Sequence, residues 1–165
     1  KITMYYVNQL QMDPAYLNYY YFKTMHHEFG HILNQTKPYS TDFDKISGPD
    51  YVSDTWSSKY PKKTEDYAQG YNVASLQDGF ISPYASKEAS EDFVELVSIY
   101  VTNTTGKWNE MMTIAGTSGS AIIKQKFEIV YNYMMNSLNI DLNELRDVIQ
   151  ARQAELSNQD FETLD

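Results

Sequence analysis

Two histidines four residues apart constrain the folding and chemistry of this chain more than any other feature. They lie in the run His27-Glu28-Phe29-Gly30-His31. On an α-helix, residues i and i+4 project from one face about one turn apart, so both imidazoles can reach a single ion. Glu28 is displaced around the helix, where it can take a proton from a water without competing as a ligand. The run therefore predicts a zinc site on a helix, with His27 and His31 as ligands and Glu28 as the general base.

The competing interpretation is a helix that carries histidines without a metal. All three histidines of the chain fall within six positions, however, and two of them bracket a glutamate. Gly30 strengthens the metal interpretation, because glycine costs a helix about 1 kcal/mol relative to alanine and so indicates a packing or access reason. His26 does not fit the spacing, and we expect it to face solvent or to make a local hydrogen bond.

A catalytic zinc site needs a third protein ligand in addition to the two histidines. No histidine follows His31 and the chain has no cysteine, so this ligand must be a carboxylate. The densest acidic cluster comprises Glu88, Glu91, Asp92 and Glu95. Glu91 and Glu95 share one helix face, so one could bind zinc while the other orients a ligand histidine. We interpret Glu88 and Asp92 as a solvated helix N-terminus, and spacing alone leaves the role of Glu91 open.

Hydrophobic patterns along the chain predict a mainly helical protein. Helices are predicted at residues 15–34, 90–102, 121–138 and 141–156. Residues 2–10 are rich in β-branched and aromatic side chains and predict a strand, and Asp13-Pro14 predicts the start of the first helix. The remaining segments are expected to be an irregular loop at 35–70, short extended pieces at 71–81 and a connector at 104–120.

These elements indicate an α+β fold, a single domain over residues 1–165 that is mainly helical with a small sheet. Because the chain starts at Lys1 without a signal-like segment, we expect a domain trimmed of an N-terminal signal or lipoprotein segment. No apolar run approaches the roughly 20 residues that cross a bilayer, so no transmembrane segment is expected.

The composition argues against several classes of partner and site. The formal net charge is −9 and no basic stripe exists, which argues against nucleic acid. The absence of cysteine removes disulfide scaffolds, thiolate metal sites and cysteine nucleophiles. The fifteen tyrosines are consistent either with a wet binding surface or with the outer shell of a core.

Two stretches of the sequence carry a family resemblance. HHEFGHILNQ (residues 26–35) and SPYASKEASEDFVE (residues 82–95) resemble the gluzincin-type peptidases related to anthrax lethal factor and the Pro-Pro endopeptidases. That resemblance implies Glu91 as the third zinc ligand. It also implies that Tyr84, seven residues earlier, stabilises the oxyanion of the tetrahedral intermediate. Glu95 matches a second acidic position, where it would support the site from behind the ligands.

Over nearly its whole length the chain is more similar to a group of zinc-binding peptidases of Bacteroidetes, the substrate-import-associated zinc metallohydrolase lipoproteins. This similarity implies a zincin-like metalloprotease domain that holds one zinc ion. It also implies an extracytoplasmic location, as an outer-membrane lipoprotein exposed at the cell surface or in the periplasm. Peptides or glycoproteins would be its substrates, and components of TonB-dependent importers its partners.

The sequence therefore predicts a zinc metallopeptidase. In this hypothesis, residues 2–10 form a sheet edge along which substrate lies, and the 35–70 loop with Trp56 shapes the subsites. Two alternatives stay open: a weakly active binding component of an uptake complex, and a zinc hydrolase of non-peptide amides or esters. A purely structural zinc site is disfavoured, because such sites normally have four protein ligands.

Overall fold

The computed structural model describes residues 16–158, and the regular structure in that range is entirely helical. The α-helices are α1 (Lys23–Thr36), α2 (Asp42–Ile46), α3 (Trp56–Lys59), α4 (Thr64–Gln69), α5 (Val73–Gln77), α6 (Ala89–Thr102), α7 (Thr105–Ile114), α8 (Gly116–Leu138) and α9 (Leu142–Glu155). A π-helical segment (Leu17–Phe22) leads directly into α1, and short 3-10 turns occupy Gly48–Asp50, Ser53–Thr55, Tyr84–Ser86 and Leu156–Asn158.

Helix α6 lies at the centre of the molecule. Its residues from Glu91 to Val101 are all buried, because apolar side chains occur on every side of this helix. Helix α1 packs along one side of α6 and α9 along another, while α2 and α8 also contact it. The core around α6 includes Phe43, Leu76, Phe80, Phe93, Leu96, Ile123, Val130 and Leu142. This packing places the predicted metal helix against the helix that carries the acidic cluster.

The helices predicted from strong periodicity are confirmed within the described residues. The first predicted helix corresponds to the π-helical segment and α1, and the second to α6. The third, α8, begins at Gly116, five residues before its predicted start. The last helix, α9, follows Asp141, whose side chain accepts a hydrogen bond from the Asn143 backbone N–H at 2.7 Å.

The prediction of an irregular loop at residues 35–70 is wrong. This segment folds into α2, α3, α4 and two 3-10 turns. It is also attached to the core, since Phe43 is fully buried and Tyr60 almost so. Helices of one or two turns hold too few residues to show a period, and their stability comes from such packing rather than from propensity.

Two further segment predictions are also wrong. Residues 71–81 contain α5, whose first turn is capped by the Asn72 side chain accepting from the Ser75 backbone N–H. Residues 104–120 contain α7 and the start of α8, and Thr104 caps α7 by accepting from the Lys107 backbone N–H. Gly116, the first residue of α8, has a left-handed conformation (φ +68°) at the junction of these two helices. Capping and tertiary packing here overcome the low helix propensity of glycine and threonine.

The mainly helical character of the fold is confirmed, but the small sheet has no support within residues 16–158, which contain no strand. The strand predicted at 2–10 and the Asp13-Pro14 helix start lie outside the described residues. Within the described part of the chain, no helix is both long enough and apolar enough to span a membrane.

Asp92 was interpreted as a solvated residue, and this is wrong because its side chain is fully buried. The Lys126 ammonium, also fully buried, lies 2.6 Å from Asp92 Oδ2 and donates a hydrogen bond to the Gly79 carbonyl at 2.9 Å. The Tyr51 hydroxyl donates to the same carboxylate oxygen at 3.0 Å. Burial raises the pKa of Asp92 to about 6 despite the lysine. The pair ties α8 to the middle of α6.

Replacement of Lys126 by methionine is expected to destabilise the fold by about 3–5 kcal/mol, because it leaves the Asp92 charge buried without its counter-ion. Urea denaturation followed by circular dichroism measures this loss. Lys124→Met, two residues away on the exposed side of α8, is the matched control and should stay within about 0.5 kcal/mol of wild type. Equal stability of the two variants would contradict a structural role for the buried pair.

Candidate metal centre

Helices α1 and α6 bring two histidines and one carboxylate together. The Nε2 atoms of His27 and His31 lie 3.1 Å and 3.2 Å from the same oxygen of Glu91, Oε2. One ligand atom from each of the three residues lies within 4.8 Å of the other two. His27 and Glu91 are each only 8% exposed, whereas His31 is partly exposed. Residues 60 positions apart in the chain therefore converge at one point on the border of the core.

Gly30 permits this convergence. A Cβ atom added at Gly30 would lie 2.8 Å from Val94 Cγ1 and 3.2 Å from Val94 Cβ. Val94 is β-branched and fully buried, so its side chain has little freedom to move aside. The packing reason predicted for Gly30 is confirmed: the glycine lets α1 approach α6 closely enough for the ligand atoms to meet.

The three converging residues fit a zinc ion. Two imidazole nitrogens and a carboxylate oxygen form the donor set of many catalytic zinc sites. In a tetrahedron with metal–ligand distances of about 2.05 Å, neighbouring ligand atoms are about 3.3 Å apart. The 3.1 Å and 3.2 Å separations at Glu91 Oε2 are close to that value. The donor set, and the spacing of each histidine nitrogen from Glu91 Oε2, are therefore suited to zinc.

Glu95 lies behind His27 and fixes its orientation. His27 Nδ1 is 2.9 Å from Glu95 Oε1, so a proton on Nδ1 donates to the carboxylate and leaves the Nε2 lone pair for a metal. The other Glu95 oxygen accepts from the Ser82 hydroxyl and lies 2.9 Å from the Lys23 ammonium. Burial opposes ionisation, but these partners together lower the pKa of Glu95 to about 2. Glu95 is thus an anion that directs His27.

Tyr84 and Lys87 contact the remaining oxygen of Glu91. The Tyr84 hydroxyl donates to Glu91 Oε1 at 2.9 Å, and the Lys87 ammonium lies 3.4 Å from the same atom. Lys87 also donates to the Tyr84 oxygen at 3.5 Å. Burial, together with the hydrogen bond to Glu91, raises the pKa of Tyr84. The phenol therefore keeps its proton at neutral pH and remains a hydrogen-bond donor beside the ligand cluster.

The other residues considered from the sequence lie around this cluster. Glu28 is exposed on α1, one position after His27, and Glu88 is exposed at the start of α6 as predicted. The His26 ring bonds the Phe22 carbonyl at 2.7 Å, which confirms the predicted local hydrogen bond. Its position gives His26 no part in the cluster.

Part of the 35–70 segment borders the site. The Trp56 ring meets the Tyr84 ring edge to face, with centroids 5.2 Å apart. The backbone N–H groups of Val52 and Ser53 donate to the carbonyls of Ser86 and Lys87, which holds this segment against the Tyr84 turn. The role of Trp56 in shaping a subsite stays a prediction.

Sequence reasoning missed Ser82, Lys23 and Lys87. Both lysines were detectable, since Lys23 precedes His27 by four residues and Lys87 precedes Glu91 by the same interval. Such spacing brings side chains together wherever the backbone is helical. Ser82 carried no comparable signal, because its contact with Glu95 depends on the turn at Tyr84–Ser86.

Comparisons with known proteins agree with zinc as the metal. A family model described as "Putative zinc-binding metallo-peptidase" matches residues 1–143. A crystal structure of a protein of the same description from Bacteroides caccae shares 39% sequence identity, with a TM-score of 0.79 over 96% of this chain. The match covers 57% of that protein, so this chain spans little more than half of its length. No curated protein matches. The chain belongs to this family of zinc-binding metallo-peptidases.

Proposed function

We propose that this chain is the catalytic domain of a zinc-dependent peptidase in which His27, His31 and Glu91 hold one zinc ion. The observation that carries the proposal is the meeting of both histidine Nε2 atoms at a single Glu91 oxygen. When bound, zinc supplies Lewis acidity, which acidifies water and polarises the carbonyl of a peptide bond. An incomplete set of protein ligands, three rather than four, is typical of catalytic sites.

Glu28 is the proposed general base. It follows His27 directly on α1 and is exposed, so water and substrate can reach its carboxylate. Glu28 takes a proton from the attacking water and returns it to the leaving amine. His27 is not available for this role, because its Nε2 atom faces Glu91 and its Nδ1 atom is bonded to Glu95.

Tyr84 is the proposed donor to the oxyanion. Its hydroxyl carries a proton and donates a hydrogen bond to Glu91. A rotation of the phenol away from Glu91 Oε1 would direct this donor towards a substrate carbonyl oxygen. Such a donor stabilises the transition state more than the ground state and so raises kcat.

The proposed substrates are peptides or glycoproteins, and the proposed location is outside the cytoplasm, at the outer membrane beside a nutrient importer. Support for the reaction class comes from the family description and from the related Bacteroides caccae protein, both named metallo-peptidases. The location and the importer rest on the resemblance of the sequence to import-associated lipoproteins.

Replacement of Glu91 by alanine is expected to reduce bound zinc from about one equivalent to far below stoichiometry, because two histidines alone do not complete the site. Inductively coupled plasma mass spectrometry of the purified protein measures the metal content. Glu88→Ala removes an exposed carboxylate from the same helix start and should keep full zinc content. Stoichiometric zinc in Glu91→Ala would exclude Glu91 as a ligand.

Replacement of Glu28 by glutamine is expected to lower peptide hydrolysis by about 10²–10⁴-fold, because it removes the general base. Zinc content should not change, since Glu28 is not a ligand. Cleavage of a quenched fluorescent peptide library measures the rate. Glu128→Gln on the exposed side of α8 is the control. Wild-type rates in Glu28→Gln would show that another group accepts the proton.

Replacement of Tyr84 by phenylalanine is expected to lower kcat by about 10²–10³-fold with little change in KM, because the lost hydrogen bond is made in the transition state. The aromatic ring and its contact with Trp56 are retained, so the fold should be unaffected. Steady-state kinetics on a peptide that the wild type cleaves gives both constants. A raised KM with unchanged kcat would instead assign Tyr84 to substrate binding.

A further inference from the structure

Each of the two carboxylates at the metal centre has its own lysine. The Lys23 ammonium lies 2.9 Å from Glu95 Oε2, and the Lys87 ammonium lies 3.4 Å from Glu91 Oε1. Both lysines reach the site from outside, with side chains that are 25% and 26% exposed, whereas the side chains of Glu95 and Glu91 are 2% and 10% exposed. The cations therefore lie between the buried anions and solvent.

The charges within these two pairs cancel. Glu91 and Glu95 contribute −2 and the two lysines contribute +2, which gives a sum of zero for the four residues. In a partly buried site, where the effective dielectric constant is well below that of water, each of these charges acts strongly on a neighbouring ion.

The lysines contact oxygens that do not face the ligand nitrogens. Glu91 directs Oε2 to the histidines and Oε1 to Lys87, and Glu95 directs Oε1 to His27 and Oε2 to Lys23. Each lysine therefore withdraws negative charge from a carboxylate at the site. The other oxygen of Glu91 faces the ligand nitrogens, and the other oxygen of Glu95 bonds the ligand His27. A carboxylate bonded to a ligand histidine makes that ligand more basic, and a cation on the carboxylate opposes this effect.

We propose that Lys23 and Lys87 are positioning residues that offset the carboxylate charge, so that the bound zinc is held less tightly and remains a stronger Lewis acid. This inference rests on the proposed zinc peptidase. In this inference, the lysines lower the zinc affinity of the site and thereby keep the bound ion electrophilic. The two lysines act through Glu95 and Glu91, and neither needs to touch the substrate.

Two substitutions near the metal are expected to strengthen zinc binding rather than weaken it. Lys23→Met and Lys87→Met should each lower the Kd for zinc by about tenfold or more, because removing a nearby cation removes its repulsion of the ion. Each should also lower kcat for peptide cleavage. A lysine that only held its carboxylate in place would have the opposite effect on binding, since loss of such support weakens metal affinity by about 10–100-fold.

Competition between the apoprotein and a chromogenic zinc chelator measures the Kd without any activity assay. Lys23→Arg and Lys87→Arg keep the charge and should bind zinc as the wild type does. Lys124→Met removes an exposed lysine of α8 that belongs to neither pair, and should also leave the Kd unchanged. Urea denaturation of the apoproteins checks that each variant is folded, and if one methionine variant fails to fold, the other decides the question.

Tighter zinc binding with slower cleavage in the methionine variants would support the inference. Unchanged or weaker zinc binding would overturn it, even if cleavage slowed. A wild-type protein that bound no zinc would overturn the proposed function itself, and this result is distinguishable because it requires no variant. A wild type that bound zinc but cleaved no peptide would remove only the peptidase assignment, since the comparison of Kd values would still stand.

Discussion

The close packing of α1 against α6 is the constraint on which the rest of the site depends. It is possible because Gly30 presents no side chain where Val94 lies, and a methyl group there would be 2.8 Å from a valine carbon. The helices thereby come near enough for one Glu91 oxygen to meet two imidazoles. A wider separation would leave each ligand pointing into the gap between the helices. The candidate metal centre thus depends on the contact between a glycine and a buried valine.

The charges of α6 show how a buried helix can carry acids. Glu91, Asp92 and Glu95 are all buried on it, and each has a lysine partner: Lys87 just before the helix, and Lys126 and Lys23 from other helices. Lys126 fixes Asp92 to α8 within the core, while the other two lysines approach from the surface. Burial of an unpaired carboxylate would be very costly. The central helix therefore combines a structural ion pair and the two carboxylates of the candidate metal centre within five residues.

The sequence predicted the parts that depend on local spacing. The two histidines of α1 and the long helices could be recognised because the 3.6-residue helical repeat is visible in the spacing of residues along the sequence. Glu91 required a family resemblance, since its distance from the histidines depends on tertiary packing. Short helices such as α5 were missed because capping and burial stabilise them. Asp92 was predicted to be solvated because no residue near it in the sequence indicates that Lys126 pairs with it. Long-range partners of this kind have no periodic signature.

The hydrogen bonds and ion pair of Glu95 imply that the site is organised by folding before a metal binds. Its contacts with Lys23, His27 and Ser82 join α1, α6 and the segment before Tyr84 through protein groups alone. Folding therefore sets the tautomer and the orientation of His27. The side-chain entropy of His27 is lost when the chain folds and not when the metal binds. Zinc fingers, by contrast, are unfolded without their metal. A site organised in this way can acquire its ion late, release it and take it up again while the chain stays folded.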